Sequence, residues 1–94
     1  MAKKFEDSLN TAVFTTKFVV KENKEITYVT HDIEDSAWQF FSDDEFDNFE
    51  EVAMLLSLEG IIEIDKSVLE IADLPLGYIA TRQTAKDRWR ILKE

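Results

Sequence analysis

Cysteine is missing from the sequence altogether, which removes disulfides, thiolate nucleophiles and cysteine-based zinc sites together. Glycine is nearly missing too: Gly60 and Gly77 are the only two, so no G-x-G-x-x-G, P-loop or G-x-S-x-G occurs. A single histidine, His31, closes an alternating stretch beside Asp32. The pair could make a base and its orienting carboxylate, but no serine joins it in a motif. A lone histidine of this kind reads as a surface or turn residue. No apolar run approaches the roughly 20 residues that span a bilayer. The opening MAKKFEDSLN has no apolar stretch of the signal-peptide kind. These absences set the expectation of a cytoplasmic, non-enzymatic protein with no cofactor and no membrane contact.

Basic residues are scarce where acids are dense. The net charge is -9, and all of it sits in DIEDSAWQFFSDDEFDNFEE (32–51), which has nine carboxylates and neither lysine nor arginine. The remainder of the chain is neutral. A segregated excess points to a negative face rather than to solubility spread over a surface. With no basic patch to release counterions, nucleic acid is excluded as a partner. At 45% hydrophobic residues and 94 residues in all, the chain can bury one core, so a single domain over 1–94 is expected, with 1–9 a loosely ordered N-terminal segment.

The hydrophobic pattern predicts strands at 11–21, 25–31, 36–42, 76–82 and 88–92, and a short buried strand at VAMLLS (52–57). In the first, Ala12, Phe14, Thr16, Phe18 and Val20 share a face. In the second, Ile26 and Tyr28 do; ENKE (22–25) between them predicts an antiparallel hairpin. In the third, Trp38 and Phe40 share one face, and Gln39 and Phe41 the other. From Leu58 the period turns helical. Ser57 is a candidate N-cap, and Asp65 would break that helix and cap a second over 66–73, which Leu74-Pro75 ends. The fold class expected is α+β: an antiparallel sheet with the helical segment 58–73 packed on one face.

Two features of the acidic stretch carry candidate chemistry. Asp43, Glu45 and Asp47 alternate like the first ligands of an EF-hand. Asn48 stands where that loop needs glycine, however, and Met54 where it needs a bidentate glutamate, so no metal site is expected. Phe46 and Phe49 lie three apart among carboxylates. Either they tuck beneath the loop and pin it, or they stand out as anchors within a negative rim. Trp38, Phe40, Pro75, Gly77 and Trp89 are the expected structural core.

Three blocks together, DSAWQFFSDDE, SLEGIIEIDKSVLEIADLPLGYIATR and DRWRIL, resemble a small bacterial family known as domain of unknown function 2185, or immunity protein 33. Trp38, Phe40-Phe41 and Asp44-Glu45 match its D-S-G-W-R-F-F-x-G-D-E segment. Ile61, Ile64, Asp65 and Ser67 match its I-x-x-I-D-P-S stretch, and Asp73, Pro75, Gly77 and Ala80 its L-D-x-P-x-G-x-x-A/F strand entry; Trp89 is its final tryptophan. The chain departs at Lys66, where the family has proline, and at Ala37, where it has glycine. The resemblance implies a binding protein that neutralises a partner toxin, and it brings no catalytic residues with it. The expected docking surface is Asp43, Asp44, Glu45, Phe46, Asp47 and Phe49, and the expected partner is a protein, a basic toxin domain. A small intracellular regulatory or accessory domain without a toxin partner is the alternative.

Overall fold

A computed structural model describes residues 3–94. Six strands form one sheet: β1 (Ala12–Thr16), β2 (Tyr28–His31), β3 (Trp38–Phe41), β4 (Ala53–Ser57), β5 (Tyr78–Thr81) and β6 (Arg90–Lys93). Their spatial order is β4-β1-β3-β2-β5-β6, and every neighbouring pair is antiparallel except β1 with β3. Helical pieces are short: α1 (Lys17–Val20), α2 (Phe49–Val52), α3 (Leu58–Ile64) and a 3-10 helix over Lys66–Ile71. The fold is α+β.

A seven-residue helix cannot hold itself together in water, so α3 depends on its caps and its packing. The Ser57 hydroxyl accepts from the Gly60 N–H at 3.0 Å, and Leu58 and Ile61 are completely buried. Asp65 stops it and starts the 3-10 helix, where its carboxylate accepts from the Ser67 N–H at 2.9 Å and the Ser67 hydroxyl at 2.6 Å. Positions i and i+3 eclipse in a 3-10 helix, so Val68 and Ile71 stack on one inward edge, both buried. Together with Ala72 and Leu74 they cover Val13, Val29, Trp38, Phe40 and Ala80 of the sheet.

The expected hairpin between 11–21 and 25–31 does not form. The chain leaves the sheet at Lys17, winds through α1, and returns so that β2 pairs with β3 and β5 instead. The winding places Val19 in the core, 1% exposed, and this packing overrides the strand preference of KFVV. The buried face of β1 is the Val13 and Thr15 side, so Phe14 points away from the helices. In β2 the inward residue is Val29, opposite Phe40 and Ala80, while Tyr28 faces outward, away from the buried Ile26. VAMLLS is not a buried strand: β4 is an edge strand with one neighbour, and Leu55 is 62% exposed.

The N-terminal segment is tied down over residues 3–9. Phe5 is buried with its ring edge-on to Trp38 at 5.0 Å, and Asp7 accepts from the Trp38 indole N–H at 3.1 Å. Residues 1–2 of the segment lie outside the described residues. Pro75 is exposed and is not a core residue; it ends the helical segment from the surface. Gly77 is buried with φ +81, a left-handed conformation that glycine adopts without strain, and its N–H donates to His31 O at 2.7 Å. Ala37 has no positive φ, so the backbone does not demand glycine there.

Two buried groups are badly served. Among the described residues the Thr15 and Thr16 hydroxyls are enclosed with no hydrogen-bond partner, and leaving such a group desolvated costs about 1–3 kcal/mol. Thr15→Val keeps the shape and removes the hydroxyl. We expect a gain of about 1 kcal/mol, read as a higher urea midpoint; a lower midpoint would mean that the hydroxyl has a partner.

Candidate functional site

Because side chains alternate along a strand, the sheet that buries Trp38 and Phe40 under the helices presents a second face on its other side. Cross-strand register assembles that face. Phe14 lies opposite Leu55 and Gln39; Tyr28 lies opposite Phe41 and Thr81; Ile79 lies opposite Thr30 and Leu92. No helix of the 58–71 segment reaches it, and Leu55, Leu92 and Tyr28 are exposed. Thr30 donates to Gln39 at 3.3 Å near its middle.

The segment after β3 folds back over one end of this face. Asn48 caps α2 by accepting from the Glu50 N–H at 3.0 Å, and that turn lays Phe49 onto the sheet. Its ring is 5.6 Å from Phe41, 6.2 Å from Phe14 and 5.9 Å from Phe46. Phe49 is half-buried, whereas Phe46 is 39% exposed and touches Phe41 at 6.2 Å. The two phenylalanines therefore do different things: Phe49 pins the loop, and Phe46 stands at its edge. Between Phe46, Phe41 and Tyr28 a cleft of about 590 Å³ opens, with Asp43 at its wall.

The carboxylates are less concentrated than the sequence implies. β3 separates them into two groups, since four strand residues span about 13 Å. At one end Asp32 and Asp35 serve the β2–β3 turn, accepting from the Glu34 N–H at 2.9 Å and the Ala37 N–H at 3.0 Å. The other end holds Asp43, Asp44, Glu45, Asp47, Glu50 and Glu51. Asp44 is half-buried, accepts from the Ser42 hydroxyl at 2.7 Å and lies 4.0 Å from Lys24 Nζ. Asp43, Glu45 and Asp47 are exposed, and no ion pair among the described residues includes them.

His31 is half-buried rather than a free surface residue. Its Nδ1 is 2.7 Å from Leu74 O, and its ring stacks on Trp38 at 3.9 Å. The Asp32 carboxylate serves its own turn, so the two do not form a base and orienter among the described residues. A group that sequence reasoning missed is Arg82. It is buried, with Nη2 2.8 Å from Asp65 Oδ2, Nη1 2.8 Å from Ser67 Oγ, and Nε 3.0 Å from Ile26 O. Its guanidinium lies 3.9 Å from the Trp89 ring centroid. The sequence did hold a signal for it: Asp65, Ser67 and Trp89 all stand in the motif blocks, and a carboxylate set in an apolar segment needs a cation.

Compared with known proteins, the chain matches the family model described as the Immunity protein Imm33 domain over residues 10–93. Neither a solved structure nor a protein of curated function gives a significant match.

Proposed function

The chain belongs to the Imm33 immunity protein domain family, and from that premise we propose that it is a non-enzymatic cytoplasmic protein that neutralises a basic toxin domain by docking it on the open sheet face beside the 43–51 loop. One observation carries this reading: Asp43, Glu45 and Asp47 are exposed and have no ion-pair partner among the described residues, next to a partly exposed aromatic surface. A toxin that acts on nucleic acid presents a basic cleft, and carboxylates of this kind steer it in and occupy it. Phe46 supplies an apolar anchor. Asp44 and Phe49 hold the loop in shape beneath the contact.

The test uses the toxin encoded beside the gene, or one recovered by pull-down from the native organism. Neutralising Asp43, Glu45 and Asp47 together, as Asn and Gln, is expected to leave stability within about 0.5 kcal/mol. Association should slow by about tenfold or more, with a weaker salt dependence, because steering is screened over about 8 Å at physiological ionic strength. Phe46→Ala should speed dissociation about 30-fold, as loss of a binding hot spot does. Phe49→Ala should instead lower stability by about 1–3 kcal/mol. A toxin that associates and dissociates identically with all these variants would refute the proposal.

A further inference from the structure

We propose that the cleft between Tyr28, Phe41 and Phe46 is an arginine anchor site, which takes one guanidinium side chain from the protein partner; this rests on the docking reading above. Tyr28 and Phe46 each lie 6.2 Å from Phe41, tilted by 49° and 34°. They make no ring contact with each other among the described residues, so Phe41 is the floor and the other two are walls. Both walls are 39% exposed and line the cleft. Aromatic faces attract cations through the ring quadrupole, more strongly once water is excluded. Asp43 on the wall adds a carboxylate with no ion-pair partner among the described residues.

The protein does not fill this site from within. Arg82 borders the cleft, but its side chain is 1% exposed and its guanidinium is engaged with Asp65, Ser67 and Ile26 O. Lys24 is turned to Asp44. An uncharged apolar anchor would fill the walls and leave Asp43 desolvated without a partner, which is unfavourable. Lysine would satisfy Asp43 as a point charge. Arginine alone matches both parts, because a planar guanidinium stacks on the rings while its fork of donors meets the carboxylate.

The probe is a capped glycine-arginine-glycine peptide, titrated into the intact protein and followed by amide chemical shifts. Citrulline, lysine and leucine versions serve as comparisons. Saturable shifts at Tyr28, Phe41, Asp43 and Thr81 are expected, with a Kd on the order of 1–10 mM for one anchored side chain. The citrulline peptide, which keeps the plane and loses the charge, should bind about fivefold more weakly. Asp43→Asn should weaken the arginine peptide by a similar factor and leave the citrulline peptide unchanged. Equal binding of the leucine and arginine peptides, or no saturable shift by about 20 mM, would overturn the anchor. So would a toxin captured normally by Asp43→Asn and Phe46→Ala, although that outcome leaves the immunity role intact. Conversely, arginine-selective binding without capture of any toxin supports the cleft and refutes the immunity role.

Discussion

Replacing Arg82 with methionine is expected to destabilise the protein by about 3–5 kcal/mol, the usual effect of removing one member of a buried ion pair. Four contacts end at its guanidinium: Asp65 at 2.8 Å, Ser67 Oγ at 2.8 Å, Ile26 O at 3.0 Å and Ala85 O at 3.3 Å. Together they tie the start of the 3-10 helix, the chain entering β2 and the turn after β5 to one point. Methionine keeps the apolar stem and loses every donor. Arg82→Lys should also be costly, because an ammonium cannot reach the same partners in one plane or stack as well on Trp89. Asp65→Asn leaves the guanidinium, 1% exposed, without its counter-charge, so it too should cost about 3–5 kcal/mol. For a domain of this size a loss of 3–5 kcal/mol lowers Tm by roughly 15–30 °C. Urea unfolding followed by circular dichroism measures it. An unchanged midpoint for Arg82→Met would show that the network contributes nothing to stability.

That network also shows how far sequence could go. Local signals were readable: Ser57 and Asp65 cap the helices as their spacing implies, and the alternation of Trp38-Gln39-Phe40-Phe41 sorts correctly onto two faces. Alternation does not say which face is covered. In β1 the covered face carries Val13 and Thr15, leaving the larger Phe14 on the open side. Nor does it say which strands pair. β1 neighbours β3 and β4, partners more than twenty residues away, and nothing local marks them. The hairpin expected from ENKE failed for that reason. The acidic excess was legible as a count, but it was misread as one face, because the strand inside it carries its two halves apart. Phe46 and Phe49 could be told apart only once α2 had set one ring on the sheet and left the other at the rim.

Trp38→Ala should cost about 3–5 kcal/mol, as truncation of a large buried aromatic does. The indole is 3% exposed, stacked on His31 at 3.9 Å, parallel to Phe40 at 6.1 Å and edge-on to Phe5 at 5.0 Å. Its removal opens a cavity and also frees the N-terminal segment, which loses the Phe5 contact and the Asp7 hydrogen bond. Residues 3–9 should then be cut readily in limited proteolysis. Trp38→Phe separates the two effects. It retains most of the packing and loses the 3.1 Å bond to Asp7, so a cost of about 1–2 kcal/mol is expected and the protein stays folded. This variant also tests the division of labour between the two sides of the sheet. Trp38 projects from β3 toward the helices, whereas Phe41, three residues on, projects toward the open face. If docking uses that open face, folded Trp38→Phe should bind toxin with unaltered association and dissociation rates, while Phe46→Ala, still folded, dissociates faster. A Trp38→Phe protein that is folded yet releases toxin faster would place the contact on the wrong side of the sheet. The helical side, with the N-terminal segment crossing it, would then be the surface to examine.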